Sequence, residues 1–428
     1  MKRFYINQNN IYKFLIYFSF ILFPFQNLAL RISSSSYDWT VILLIISIFL
    51  FFILDDFQKN FKLKKKIAIL STLIFITYYL ISHIINYEAP ITRFLASLLW
   101  LVGLLNIIIL SSSVKINQNL IFKILSILLF FICIHIWIEY FFVIGPENYN
   151  SHIKARSMSF FAEPSYAGLI LYAAAIGYLF IFTFNIKKKI YLFLFLLNVS
   201  SAYITLSLHI VTFIISLSFF IILFLFAIKK NLSFKFNYKI YFYFLMLFSL
   251  MGYLLVFHVL NGEYGNHFLS RLKVLDPEKI TNVSLLSWFR GMDQAIASLY
   301  KSYFVFGTGL GSTGEFEFYS EYGNKLQHVG LANLTLKDSY SLFFRLIIEI
   351  GLLAVIIFLV YILLRIMDFY HFICKQNSRK KYRYLIFNFL FGITILIGSL
   401  IKEPNFSRSS LYISVFLISS INFNPKKN

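Results

Sequence analysis

Twelve apolar runs separated by short basic clusters constrain this chain more than any single motif. The runs fall near residues 11–30, 39–54, 67–85, 94–113, 120–144, 165–184, 190–206, 210–228, 240–260, 340–364, 384–401 and 410–422. Most approach the roughly 20 residues that cross a bilayer. The seventh and eighth are divided only by a weak polar interval around Ser207 and His209, so eleven spans is an open alternative. With 59% hydrophobic and 13% charged residues, a soluble domain is excluded. The formal charge of +21 is not a nucleic-acid signature, because the Lys and Arg residues sit between the runs. The first run is longer than a signal-peptide core and lacks a small-residue cleavage pattern, so it reads as an uncleaved span. Cys133 and Cys374 offer neither a disulfide framework nor a C-x-x-C motif.

The basic clusters set an orientation. With the amino terminus inside, the cytoplasmic segments of a twelve-span chain collect 25 of the 39 Lys and Arg residues, and the short outer loops hold only six. That asymmetry follows the positive-inside rule and puts both termini in the cytoplasm. Eleven spans satisfy it less well, since every loop after residue 206 changes sides. The expected architecture is all-α: a polytopic membrane helical bundle of about twelve transmembrane helices, forming one integral membrane domain over residues 1–428. Residues 261–338 form one large outer loop within it. Inside that loop, Leu285, Trp288, Phe289, Met292, Ile296, Leu299 and Tyr303 recur at helical spacing. Such a stripe suits a helix lying along the membrane interface, and the plainer reading, that it packs on the bundle, is compatible with that. No internal repeat of the transporter kind is visible.

Ionisable residues inside spans are costly and default to functional candidates. They are His83, His135, Glu139, His258, Arg345 and Glu349, all in the outer halves of their runs. His135 with Glu139, and Arg345 with Glu349, are four apart and can neutralise each other. Their shared depth suggests a polar cavity open to the outside. The stretch SFFAEPSYAG (159–168) lies on that same side. Pro164 suits the first turn of a helix, and Glu163 would sit at the positive end of its dipole. Helix initiation is part of the explanation, and a carboxylate held ionised there could also accept a proton from a hydroxyl or position a cation. Lys154 and Arg156 lie just upstream, and Arg suits phosphate oxygens through its planar fork.

The segment RSMSFFAEPSYAG resembles the loop-to-helix junction of O-antigen polymerases of the Wzy type. FRGMDQAIASLYKSYFVFGTGLGS (289–312) resembles that family's large periplasmic loop. KDSYSLFFRLIIEIGLLAVI (337–356) resembles the following junction, shared with O-antigen ligases. Together these cover residues 156 to about 356 in the family's order. Two departures stand out: Lys337 and Asp338 occupy the His-Asn positions of the H-N-x-Y motif, and no Arg lies between the seventh and eighth runs, where His209 is nearby.

The resemblance implies a metal-independent glycosyltransferase in the bacterial inner membrane with a periplasmic active site and no cofactor. Its substrate would be oligosaccharide repeat units on undecaprenyl pyrophosphate. Membrane lipids are its surroundings, and a polysaccharide chain-length regulator is a partner it leaves room for; nucleic acid is not. On this reading Glu163 serves as base, Arg156 and Arg290 stabilise the pyrophosphate leaving group, and Arg271 is a further cation for it. Glu403, in the second Glu-Pro (KEPNFSR), is the alternative base. Lys154, Lys337, Asp338, Tyr340, Arg345 and Arg408 complete the substrate-binding set. The alternatives are a ligase-like transferase and, further off, a lipid-linked oligosaccharide flippase or transporter, which would need mid-membrane charges and two related halves. GLGSTG (309–314) matches G-x-G-x-x-G without a preceding strand, so it reads as a glycine turn close to lipid or glycan. Glu315 and Glu317 read as surface charge, and no metal site is expected.

Overall fold

The apolar runs become helices in a computed structural model of the protein. It describes residues 8–25, 30–32, 35–54, 59–86, 90–144, 159–161, 163–184, 188–205, 209–230, 283–301, 307–315, 318–334, 336, 339–375, 382–402 and 408–423. In chain order the helices are α1 (Gln8–Leu22), α2 (Trp39–Leu54), α3 (Lys59–Asn86), α4 (Ile91–Leu110), α5 (Gln118–Ile138), α6 (Pro164–Phe184), α7 (Ile190–Ile204), α8 (His209–Lys230), α9 (Val283–Lys301), α10 (Glu321–His328), α11 (Leu342–Ile350), α12 (Leu352–Lys375), α13 (Arg383–Lys402) and α14 (Ser409–Ser420). Among the described residues, five are long and apolar enough to cross a membrane, within Ile91–Ser113, Gln118–Val143, Pro164–Thr183, Leu352–Cys374 and Arg383–Lys402. The shorter apolar helices include Trp39–Leu54, Ile190–Ile204 and Ser409–Ser420. The protein is thus a helical bundle of membrane-protein character.

The centre of the bundle is α6, α13 and α14. The membrane-length stretch of α6 is buried all round, and so is every residue of α14. An all-round apolar helix belongs in such a core. Close approach depends on missing side chains, as is usual between membrane helices. A Cβ on Gly177 would lie 2.6 Å from the Phe387 ring, and one on Gly398 would overlap Leu169. Around this core, α1 pairs with α2, α3 with α4, and α6 with both α7 and α8. By contrast α12 is largely uncovered, with Ile357 and Leu363 turned outward as lipid-facing residues would be.

Two features depart from the sequence expectation, at the first and the tenth runs. The helix of the first run stops at Leu22, and Leu30–Ile32 instead pairs antiparallel with Ser35–Tyr37 in a two-stranded hairpin, the described exception to an all-α fold. The seventh and eighth runs form separate helices, α7 and α8. The tenth run is broken at Gly351 (φ 88°), a backbone that favours glycine, so α11 and α12 are distinct and the long apolar helix shifts to Leu352–Lys375. Much of the stripe of α9 packs against protein, while Ile296 stays exposed. Trp288, Met292 and Leu299 pack on Phe344, Ile347 and Ile348 of α11, and Phe289 stacks on Tyr322 of α10 at 4.9 Å. The ninth run, His258 and Tyr303 lie outside the described residues.

Candidate functional site

The described costly side chains, His83, His135, Glu139, Arg345 and Glu349, gather at the end of the bundle that holds Glu163, where contacts between helix ends link them. The start of α6 is tied to α5 first. Glu139, in a π-helical turn (Glu139–Ile144) after α5, has its Oε1 3.3 Å from His135 Nδ1, a salt-bridge distance, and its Oε2 accepts from the Ser159 N–H at 2.9 Å. Ser159 has left-handed backbone (φ 53°), unusual for a non-glycine residue. The expected His135–Glu139 pair exists and also anchors the approach to α6. Phe161 meets Phe23 edge-on, and Phe160 lies 5.0 Å from Phe25. Glu163 is exposed, and its Oε2 accepts from the Ser165 hydroxyl at 3.0 Å.

Two turns of chain meet here. Arg408, just ahead of α14, places its guanidinium 5.1 Å from the centre of the Tyr166 ring, within cation–π range. The next residue, Ser409, gives its N–H to Asp38 Oδ2 at 3.0 Å, so a carboxylate from the start of α2 caps α14. Asp38 is buried; burial raises its pKa, while the Ser409 N–H and the charge of Arg408 work against that rise. Asp38 was not among the sequence candidates, and nothing local to residue 38 signals a partner 371 positions away.

A second group forms around α11. Arg345 Nε donates to Glu349 Oε1 at 2.9 Å, and its Nη2 reaches Ser97 Oγ on α4 at 3.4 Å. Thr313 Oγ1 donates to the same Glu349 oxygen at 2.7 Å. The glycine turn is therefore a strap over protein, not a face for lipid or glycan. Thr308 N donates to Ile348 O at 2.7 Å, and Gly307 and Gly311 (φ 73° and 78°) lie against the backbone at Glu349–Gly351 and Arg93–Phe94. Nor is Glu315 simply a surface charge, since it accepts from Arg93 Nη1 at 2.7 Å. His83 stacks on Phe94 at 4.2 Å beside this group.

Arg290, from α9, is committed to backbone. It is 4% exposed; its Nη1 donates to Ala332 O at 2.6 Å and its Nη2 to Leu334 O. Burial lowers its pKa, yet a guanidinium remains charged in proteins. One turn further along α9, Gln294 receives the Ser339 hydroxyl at 2.7 Å and donates to Leu336 O at 3.4 Å. Gly291 permits the approach, because a Cβ there would overlap the Ser339 carbonyl oxygen. Ser339 and Tyr340 are both left-handed (φ 55° and 57°), and Ser341 Oγ donates to Leu400 O at 2.8 Å. Consecutive non-glycine residues in that region persist only where surroundings over-determine them, and such strain concentrates at functional sites.

The described candidates thus fall into three linked places: Glu163 with Arg408, Arg290 with the approach to Tyr340, and Arg345 with Glu349. The first and third are separate in their contacts, and the second joins them through α11 and the end of α13. Lys154, Arg156, Arg271, Lys337, Asp338, Glu403 and Glu317 lie outside the described residues. The opposite end carries a different chemistry. There Arg365 holds the Ile418 and Ile421 carbonyls, Lys64 reaches Ser112, and Gln118 binds Ser420 and Asn388. Among the described residues no cluster of His, Cys, Asp and Glu suits a metal ion. Compared with known proteins, the chain matches no family model and no curated sequence.

Proposed function

We propose that this protein is a polysaccharide polymerase of the bacterial inner membrane, joining oligosaccharide repeat units carried on undecaprenyl pyrophosphate at its periplasmic face. The observation that carries the reading is the meeting of motif-bearing segments at one end of the bundle. Arg408 of the second Glu-Pro junction lies over Tyr166 of the first, and Arg290 grips the loop that leads into the strained Ser339–Tyr340 backbone. Sugar transfer from a lipid pyrophosphate needs cations for the leaving group and an acceptor for the attacking hydroxyl's proton. Exposed Glu163 suits the second need, with Glu403 in reserve. Arg408 suits the first together with Arg156, Arg271 and Lys154.

Arg290 has a narrower part in this scheme. With its guanidinium on two carbonyls it acts as a positioning residue for Lys337, Asp338 and Tyr340 rather than as a group on the pyrophosphate. Arg345 likewise acts through Glu349. In the topology that goes with this function, twelve spans keep both termini in the cytoplasm and residues 261–338 outside.

The test is the length of surface glycan. Loss of the gene should leave glycan one repeat unit long, and Glu163→Ala in an inserted, normally abundant protein should do the same. Long chains in the deletion strain would remove the polymerase reading, and bare lipid A-core would replace it with a ligase.

A further inference from the structure

Two cations are held close together at the end of the bundle opposite Glu163. Lys64, in the second turn of α3, donates to the Ser112 hydroxyl at 2.7 Å, in the 3-10 turn Ser111–Ser113 that follows α4. That turn packs on α14, whose last carbonyls, those of Ile418 and Ile421, accept from Arg365 of α12. One helix end thus brings Lys64 and Arg365 together, and the charge of Arg365 acts on Lys64. Arg365 has a structural task, since its guanidinium offsets the negative end of the α14 dipole and gives a further bond to Asp368 at 2.8 Å. Lys64 has no comparable task. Its described hydrogen-bond partner is a hydroxyl, which leaves the ammonium charge uncompensated. Lys115, exposed, follows the same turn.

The same two helices are tied again at their far ends. Tyr79 Oη donates to Ile350 O at 3.3 Å, where α11 gives way to α12. Lys64 and Tyr79 share a face of α3 with Ala68, Ser71 and Phe75, and at 1.5 Å per residue they stand about 22 Å apart. Between these ties, among the described residues, α3 packs on α4 and α12 on α8 and α11, rather than on each other. A cleft therefore runs between α3 and α12, edged by Leu70, Ile74, Val360 and Leu364, all exposed. Its length exceeds the roughly 15 Å that the hydrocarbon of one leaflet occupies.

An apolar cleft with an uncompensated ammonium and a guanidinium at one end fits an acyl chain whose headgroup is anionic. We propose that the cleft between α3 and α12 binds one phospholipid of net negative charge from the leaflet at that end, its phosphate held by Lys64, Arg365 and Lys115 and an acyl chain running towards Tyr79. Phosphate oxygens take charge-assisted hydrogen bonds from both kinds of cation. Basic pockets between membrane helices suit such headgroups. The phosphate also relieves the repulsion between Lys64 and Arg365, which Asp368 offsets only on the Arg365 side. This lipid lies at the end opposite Glu163, so the site is independent of the reaction proposed above.

The experiment uses the full-length protein in phosphatidylcholine nanodiscs with a trace of phosphatidylglycerol that carries a photoactivatable group on its acyl chain, and crosslinked peptides are mapped by mass spectrometry. Crosslinks should fall on α3 and α12, and unlabelled phosphatidylglycerol should compete at least about tenfold better than added phosphatidylcholine. Lys64→Gln should cut that preference to less than about threefold. Replacing Lys188 and Lys189 by Gln, which removes two exposed cations just ahead of α7 at the same end, should leave it unchanged. Equal competition by the two lipids, an equal loss in the Lys188 and Lys189 variant, crosslinks confined to other helices, or displacement by inorganic phosphate alone would each overturn the proposal. The lipid competition needs only the unaltered chain, so it decides even if Lys64→Gln fails to accumulate.

Discussion

Glu349 Oε1 accepts from both Arg345 Nε, at 2.9 Å, and Thr313 Oγ1, at 2.7 Å, while Glu349 Oε2 is buried with no hydrogen-bond partner. A carboxylate enclosed in this way is costly alone, so its stability depends on the guanidinium. Removing one member should destabilise the protein by about 3–5 kcal/mol. Arg345→Met should therefore lower the thermal midpoint in detergent sharply, and Glu349→Met should do likewise. The double Met variant should recover most of the loss, since neither charge is then stranded. Equal losses that simply add would contradict the coupling.

The Arg290 clamp predicts a local effect rather than a global one. Arg290→Ala removes two charge-assisted bonds to Ala332 and Leu334, each worth about 1.5–3 kcal/mol. Residues 331–336 should become the first site of proteolytic cleavage while α6 and α13 stay protected. Arg290→Lys should not rescue it, because one ammonium cannot reproduce the fork. Protection equal to wild type in either variant would show that the clamp is dispensable.

The sequence made the helices legible because lipid-facing and core-facing residues are both apolar, and length alone then marks a span. The i,i+4 pairs were legible for the same reason of geometry, as His135–Glu139 and Arg345–Glu349 show. Bonds between distant segments left no such mark. Nothing near Asp38 in sequence marks its bond to Ser409, and nothing near Arg290 marks the Ala332 and Leu334 carbonyls to which its guanidinium donates. Gly351 was hidden for another reason: inside an apolar run a lone glycine is tolerated, so the break between α11 and α12 carried no extra signal.

Acidity should act through Asp293, whose Oδ2 accepts from the Ser320 hydroxyl at 2.6 Å. Burial raises its pKa, the Ser320 bond lowers it, and the charge of Glu321 raises it further, for a net rise. The folded state then binds the proton more tightly than the unfolded chain, whose Asp titrates near about 3.9. This contribution is favourable below that value and is lost as pH rises through the folded-state value. Asp293→Asn should accordingly raise the thermal midpoint at pH 7, and the gain should shrink towards pH 4. A gain that grew on acidification would reverse the assignment.

Sidedness is open to a direct check with the natural cysteines. Cys374, near the end of α12, lies at the end opposite Glu163, and Tyr319 is 75% exposed next to α10. In spheroplasts a membrane-impermeant maleimide should label Tyr319→Cys at once and Cys374 only after permeabilisation. The reverse order would turn the bundle over and leave the proposed reaction on the wrong side of the membrane.

The central claim is the transfer itself, and reconstitution tests it most directly. Purified protein in vesicles, supplied with a polyprenyl-pyrophosphate-linked repeat unit and no added metal, should yield a ladder of lipid-linked oligomers and release one polyprenyl pyrophosphate per linkage formed. Glu163→Ala in the same vesicles should give neither. Unchanged monomeric units with wild-type protein, correctly folded and oriented, would contradict the account.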